Sequence, residues 1–169
     1  LKKRKYIYGL AMPFDDAYHK FDGSANTLIF ERTNKASVTL WTEVVATIDH
    51  DYDKTIGNSN DNLKLVIHDR GLFFRLEPNS RQGYEAYGKV SRGELDRCSV
   101  TYLRLMSNDV EQQERSNELA KSLGWDESII VKKHDDVLVE EICLTKYPAN
   151  ENTFCTTNRQ DPRLKGVVF

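Results

Sequence analysis

Residues 63–78, LKLVIHDRGLFFRLEP, constrain the fold more than any other stretch. Two apolar runs rich in β-branched and aromatic residues flank HDRG, Gly71 can take a positive-φ turn position, and Pro78 stops a ladder, so the segment predicts a β-hairpin. Four further stretches have strand character. Residues 6–14, YIYGLAMPF, end at a proline turn; residues 43–50, EVVATIDH, put His50 at a strand's end; residues 98–106, CSVTYLRLM, form another run; and residues 129–149 read as a strand pair around HDD. Residues 14–26 read as a polar loop, and residues 33–41 as two helical turns with Thr33 as a cap. Residues 80–95 predict a short helix or helical turn with Gly88 and Gly93 near its end. Residues 107–124 predict a solvated helix, with capping residues first, glutamates early, a lysine late and a glycine stop. About seven strand runs with two or three short helices predict a mainly β fold with flanking helices, its sheet closed into a barrel because closure removes exposed edges. The expected organisation is one domain over residues 1–150 and a C-terminal tail over residues 151–169.

A chain of 169 residues can bury a sizeable core without disulfides or metals. Its formal net charge of −2 supplies no field that would recruit nucleic acid or a membrane surface. Three cysteines, an odd number without paired spacing, argue against a disulfide framework and fit a reducing compartment. No apolar run reaches the ~20 residues of a membrane span. The basic start LKKRK reads as a solvated tail, and a chain that begins at Leu1 rather than Met is expected to be a fragment or a processed form. His50, Asp51, Asp53, His68 and Asp69 are metal-ligand types, but they match no HExxH, EF-hand or CxxC spacing, and no phosphate-cradling glycine loop occurs. Neither a metal nor another cofactor is expected.

The dipeptide Cys98-Ser99 lies on a predicted strand, where neighbours point to opposite faces. Cys98, Val100 and Tyr102 would share one face, and Ser99, Thr101 and Leu103 the other. Cysteine usually behaves as a small buried hydrophobe, which leaves Ser99 toward a groove. A serine hydroxyl needs a base to accept its proton, and imidazole is the usual one. Of four histidines, His19 lies in a loop, His68 and His134 occupy apparent turns, and His50 is held by the strand before it. The carboxylate that would orient the imidazole has two candidates in VLVEEICLT. Strict alternation groups Leu138, Glu140, Ile142 and Leu144 on one face, and Val139, Glu141, Cys143 and Thr145 on the other.

The order of these segments resembles the prohead (capsid maturation) proteases of tailed bacteriophages, relatives of the herpesvirus assemblin proteases. YGLAMPFD is similar to the family's opening strand, LIFERTNKASVTL to its strand and following helix, and DHDYDKTIG to its Asn-His-Asp segment. LKLVIHDRGLFFRLEP is similar to its hairpin. YGKVSRGELDRCSVTY resembles the helix and Gly-Met-Ser-Phe-Gly-Phe strand that carries the nucleophile, and VEEICLTKYPAN the segment that carries the acid. The resemblance implies a herpesvirus-protease-like barrel and a serine endopeptidase with Ser99 as nucleophile, His50 as base and Glu141 as third member, Glu140 being the reserve. It implies that the partners are phage scaffold and major capsid protein as substrates, with self-cleavage, in the host cytoplasm inside the immature capsid, and a homo-oligomer as one possible state. The chain departs from the pattern at Asp49, Cys98, Val100 and Thr101, where the family has asparagine, methionine, phenylalanine and glycine. These departures keep open an alternative, a catalytically inactive barrel serving capsid assembly.

Overall fold

A computed structural model describes residues 4–22, 27–110 and 130–169. The elements in chain order are β1 (Ile7–Pro13), β2 (Tyr18–Asp22), β3 (Thr27–Thr33), β4 (Val38–Ile48), β5 (Gly57–Asn58), β6 (Leu63–His68), β7 (Gly71–Leu76), α1 (Arg81–Ser91), β8 (Arg97–Val110), β9 (Ile130–Thr145) and β10 (Phe154–Thr156), with short 3₁₀ turns at Lys35–Ser37, Tyr52–Lys54 and Pro162–Leu164. The predicted hairpin is β6–β7, with Gly71 at φ 153°. The predicted helix is α1, and Ser80 caps it by accepting a hydrogen bond from the Gly83 N–H.

Several expectations change. The polar loop contains β2, whose YHKFD pairs with β3. The two helical turns reduce to one 3₁₀ turn capped by Asn34 instead of Thr33, because the run from Val38 onward is taken into a ladder with β9. The strand pair around HDD is a single long strand, β9, in which His134 pairs with both β3 and β8 and Asp136 pairs with β8. Residues 107–110 of the predicted helix belong to β8; the rest of that helix lies outside the described residues. Residues 151–169, read as a tail without elements, contain β10 and bury Phe154, Leu164 and Val167 with Tyr8 and Phe73 in a small outer cluster.

The expected closed barrel is not formed: the described strands make two open sheets. One is antiparallel, in the order β10–β1–β7–β6. In the other, β9 is flanked by β8 on one edge and by β3 and then β4 on the other, with β2 and β5 outermost. The two sheets meet where β1 passes β8, but no ladder closes that seam. The Thr153 hydroxyl accepts from the Cys98 N–H (3.1 Å) and donates to the Cys98 carbonyl (2.7 Å), so a side chain occupies backbone groups that a closing strand would need.

The core fills the space between the sheets with Ile7, Leu72, Phe74 and Leu76 from one and Val44, Ala46, Ile48, Cys98, Val137, Val139, Ile142 and Leu144 from the other, joined by Ala86 and Val90 of α1. Full burial of each large aliphatic or aromatic side chain stabilises by ~1.5–3 kcal/mol. Gly9 lets β1 approach its neighbours: a Cβ there would lie 2.4 Å from the Phe154 carbonyl oxygen.

The pleat of β9 is broken beside the two candidate acids, and its pairing with β8 is irregular again at Asp135. Thr101 pairs with Glu141, whereas Tyr102 pairs with Val139, so Glu140 is an extra residue in β9. The β4 side shifts at the same place, from Leu40 opposite Val139 to Val45 opposite Glu141. The bulge breaks the alternation expected from sequence. Val137 and Val139 face the core, as do Ile142 and Leu144 beyond it, while Glu141 and Cys143 face outward from the core.

Candidate active site

The outward face of the β4–β9–β8 sheet is built from two cross-strand rows, Thr47–Cys143–Ser99 and Val45–Glu141–Thr101. Cys98 and Val100 point the other way into the core, as alternation from the sequence requires. Ser99 is half-buried, and with Cys98 and Val100 it borders a cavity of about 30 Å³ at the β1–β8 seam, also lined by Met12, Pro13 and Thr153.

His50 reaches this face from a tight turn at the end of β4. Asp49 and His50 both have positive φ, 53° and 56°, and the Asp51 N–H donates to the Ile48 carbonyl at 3.0 Å. Two consecutive left-handed residues with such a bond define a type I′ turn, which favours Asn, Asp or Gly at its first central position. Asp49 supplies that requirement. The turn is tied to β9 by the Asp49 N–H, which donates to the Leu144 carbonyl (3.1 Å), and by the His50 N–H, which donates to Cys143 Sγ (3.1 Å).

His50 Nδ1 lies 2.8 Å from Glu141 Oε2. The imidazole is 42% exposed and the carboxylate 0% exposed, so the ring's remaining edge can reach solvent or substrate while the acid cannot. Two hydroxyls complete the acid's surroundings. Thr47 donates to Oε1, and Thr101 donates to Oε2 at 2.5 Å while standing 3.3 Å from His50 Nδ1. Glu140, the reserve acid, is half-exposed in the bulge, outside this set of bonds.

The structure therefore joins His50 and Glu141 directly and puts Ser99 on the same face, one row along from Glu141. Ser99 and His50 make no hydrogen bond with each other. His68 takes the local polar role expected of a turn residue and accepts from the Arg70 N–H at 3.2 Å. Thr47 and Thr101 carry no role readable from sequence, although alternation groups Thr101 with Ser99; Thr47 joins this face only through its pairing with Cys143 of β9. Neither neighbouring thiol is a competing nucleophile near neutral pH. Burial, followed by the nearby Glu141 charge, pushes Cys143 up to about 11 against a bond from the His50 N–H that lowers it, and burial in the core raises Cys98.

An imidazole oriented through Nδ1 by a buried carboxylate, with hydroxyls on the same face, is the arrangement of a hydrolase that uses a serine and a histidine base. The chain belongs to the caudovirus prohead serine proteases, whose family profile matches residues 2–163. It is thus a member of a serine peptidase family that acts in phage capsid maturation. No curated protein and no solved structure matches the chain significantly.

Proposed function

We propose that this chain is an endopeptidase in which Ser99 attacks the scissile carbonyl, His50 Nε2 accepts the Ser99 proton and then passes it to the leaving amine, and Glu141 holds the imidazole and stabilises its protonated form. The acyl-enzyme is then hydrolysed by water, with His50 again serving as base. The observation that carries this reading is the 2.8 Å contact between His50 Nδ1 and Glu141 Oε2, which leaves Nε2 outside that bond on a ring that is 42% exposed. The substrates are the phage scaffold or the scaffolding arm of the capsid protein inside the immature shell, and the enzyme also cleaves itself. A second reading, an inactive member that serves assembly, draws on the missing Ser99–His50 bond; in peptidases, however, such bonds often tighten only with substrate in place.

A fluorophosphonate probe distinguishes the two. The expected result is a covalent adduct at Ser99 in the wild type and none in Ser99→Ala or His50→Gln. Equal labelling of wild type and Ser99→Ala would remove Ser99 from the mechanism. An unlabelled wild type that still binds procapsid protein would favour the assembly role.

A further inference from the structure

We propose that Thr47 and Thr101 are positioning residues that clamp Glu141 from both sides of β9 and fix which nitrogen of His50 carries the proton. This rests on the His50–Glu141 pair acting as proposed above. The carboxylate is fully buried, and its two oxygens are held by strands on opposite sides: Oε1 by Thr47 of β4, itself fully buried, and Oε2 by Thr101 of β8. With His50 Nδ1, three donors converge on a group that, when ionised, can only accept.

The clamp also acts on the ring. A hydroxyl has one hydrogen, and the Thr101 hydrogen is directed to Glu141 Oε2 at 2.5 Å. Toward His50 Nδ1, 3.3 Å away, Thr101 can therefore present only lone pairs. Both polar atoms facing Nδ1 are acceptors, so Nδ1 carries the hydrogen and Nε2 keeps the lone pair that a general base needs. Without the Thr101 hydroxyl, Oε2 loses its one hydroxyl donor among the described residues, the carboxylate can rotate about its side-chain bonds, and one of the two acceptors at Nδ1 disappears. Thr47 cannot compensate, since it holds the other oxygen.

The test uses the full chain with ¹⁵N-labelled histidine, comparing wild type with Thr101→Val, Thr101→Ser, Thr47→Val and Thr47→Ser. Two quantities are read: the fluorophosphonate labelling rate as a function of pH, and the ¹⁵N shifts of His50, assigned by their loss in His50→Gln. Each Val variant is expected to label about fivefold more slowly, the value of one ordinary hydrogen bond. In Thr101→Val the His50 signals should move from a single Nδ1–H tautomer toward a mixture, and each Ser variant should restore both readouts. Thermal melting reports folding, and should Thr101→Val not fold, Thr101→Ala is read in its place. A folded Thr101→Val with wild-type rate at every pH and unchanged His50 shifts would overturn the clamp. So would an adduct found on Thr101, which would make it a nucleophile. Because the tautomer readout does not involve Ser99, a shifted tautomer together with unimpaired labelling of Ser99→Ala would keep the clamp while removing the assigned nucleophile.

Discussion

Replacing Glu141 with glutamine keeps the side-chain volume but removes the charge and one acceptor. Three donors meet the carboxylate, two at Oε2 and one at Oε1. The amide oxygen should therefore take the Oε2 position, where His50 and Thr101 both need an acceptor, and its NH₂ should face Thr47, whose hydroxyl must turn to accept. The His50 bond survives but is no longer charge-assisted. A bond to a charged group is worth about 1.5–3 kcal/mol and a neutral one about 0.5–1.5 kcal/mol, so the imidazolium that forms during reaction loses about 1–2 kcal/mol of support. That corresponds to a labelling rate roughly 5- to 30-fold lower. If the amide sits the other way, its NH₂ faces Nδ1, the proton moves to Nε2 and the base is lost; a wrong tautomer of this kind costs on the order of 10⁴ in a known triad. The assay is the second-order rate of fluorophosphonate labelling on protein shown to be folded by its thermal melt, with Glu140→Gln as the matched control at the half-exposed neighbour. A folded Glu141→Gln that labels at the wild-type rate would refute the assigned orienting role, and slow labelling confined to Glu140→Gln would transfer the role to Glu140.

The surroundings of the site set two other outcomes. Burial raises Cys143 to about 11 and Tyr102 to about 12, so the folded chain holds these protons more tightly than the unfolded chain does. Their contribution to stability is complete below the ordinary values of 9.0 and 10.0 and is lost as pH rises through the folded ones. Melting temperature should therefore fall steadily above about pH 9, less steeply in Cys143→Ala, and a flat profile from pH 8 to 11 would contradict the burial of these groups. At Asp49, φ 53° admits glycine freely. Asp49→Val should cost about 1–2 kcal/mol in urea unfolding and slow labelling by displacing His50, while Asp49→Gly stays close to the wild type; equal stability of the two variants would be inconsistent with the turn.

Where local chemistry alone decides structure, the sequence was a good guide. The β6–β7 hairpin follows from its turn residues, α1 from its cap, and the separation of Cys98 from Ser99 from simple alternation. His50 at the end of β4 was legible for the same reason. What escaped depends on partners distant in the chain. Val38 and its neighbours leave a short capped turn for a strand because β9 offers a ladder, and YHKFD becomes a strand because β3 lies beside it. HDD resembles a turn but stays within one strand because β9 has neighbours on both edges. The expected closure into a barrel fails at a seam where a threonine side chain occupies the backbone groups of Cys98, which no periodicity signals. At the site, the acid's identity came from resemblance, whereas the two threonines that hold it became visible only once three strands were in register.

The bulge at Glu140 makes the residue count of β9 a chemical variable as well as a structural one. Were the same residues laid out in an unbroken zigzag, the acid and the valine two places before it would share a side. The chain would then have to bury the charge in oil or turn its valines to water. Natural variation in this strand should therefore tolerate exchange of side chains far more readily than gain or loss of a residue, with the spare position at Glu140 as the place where a deletion does least harm to either face.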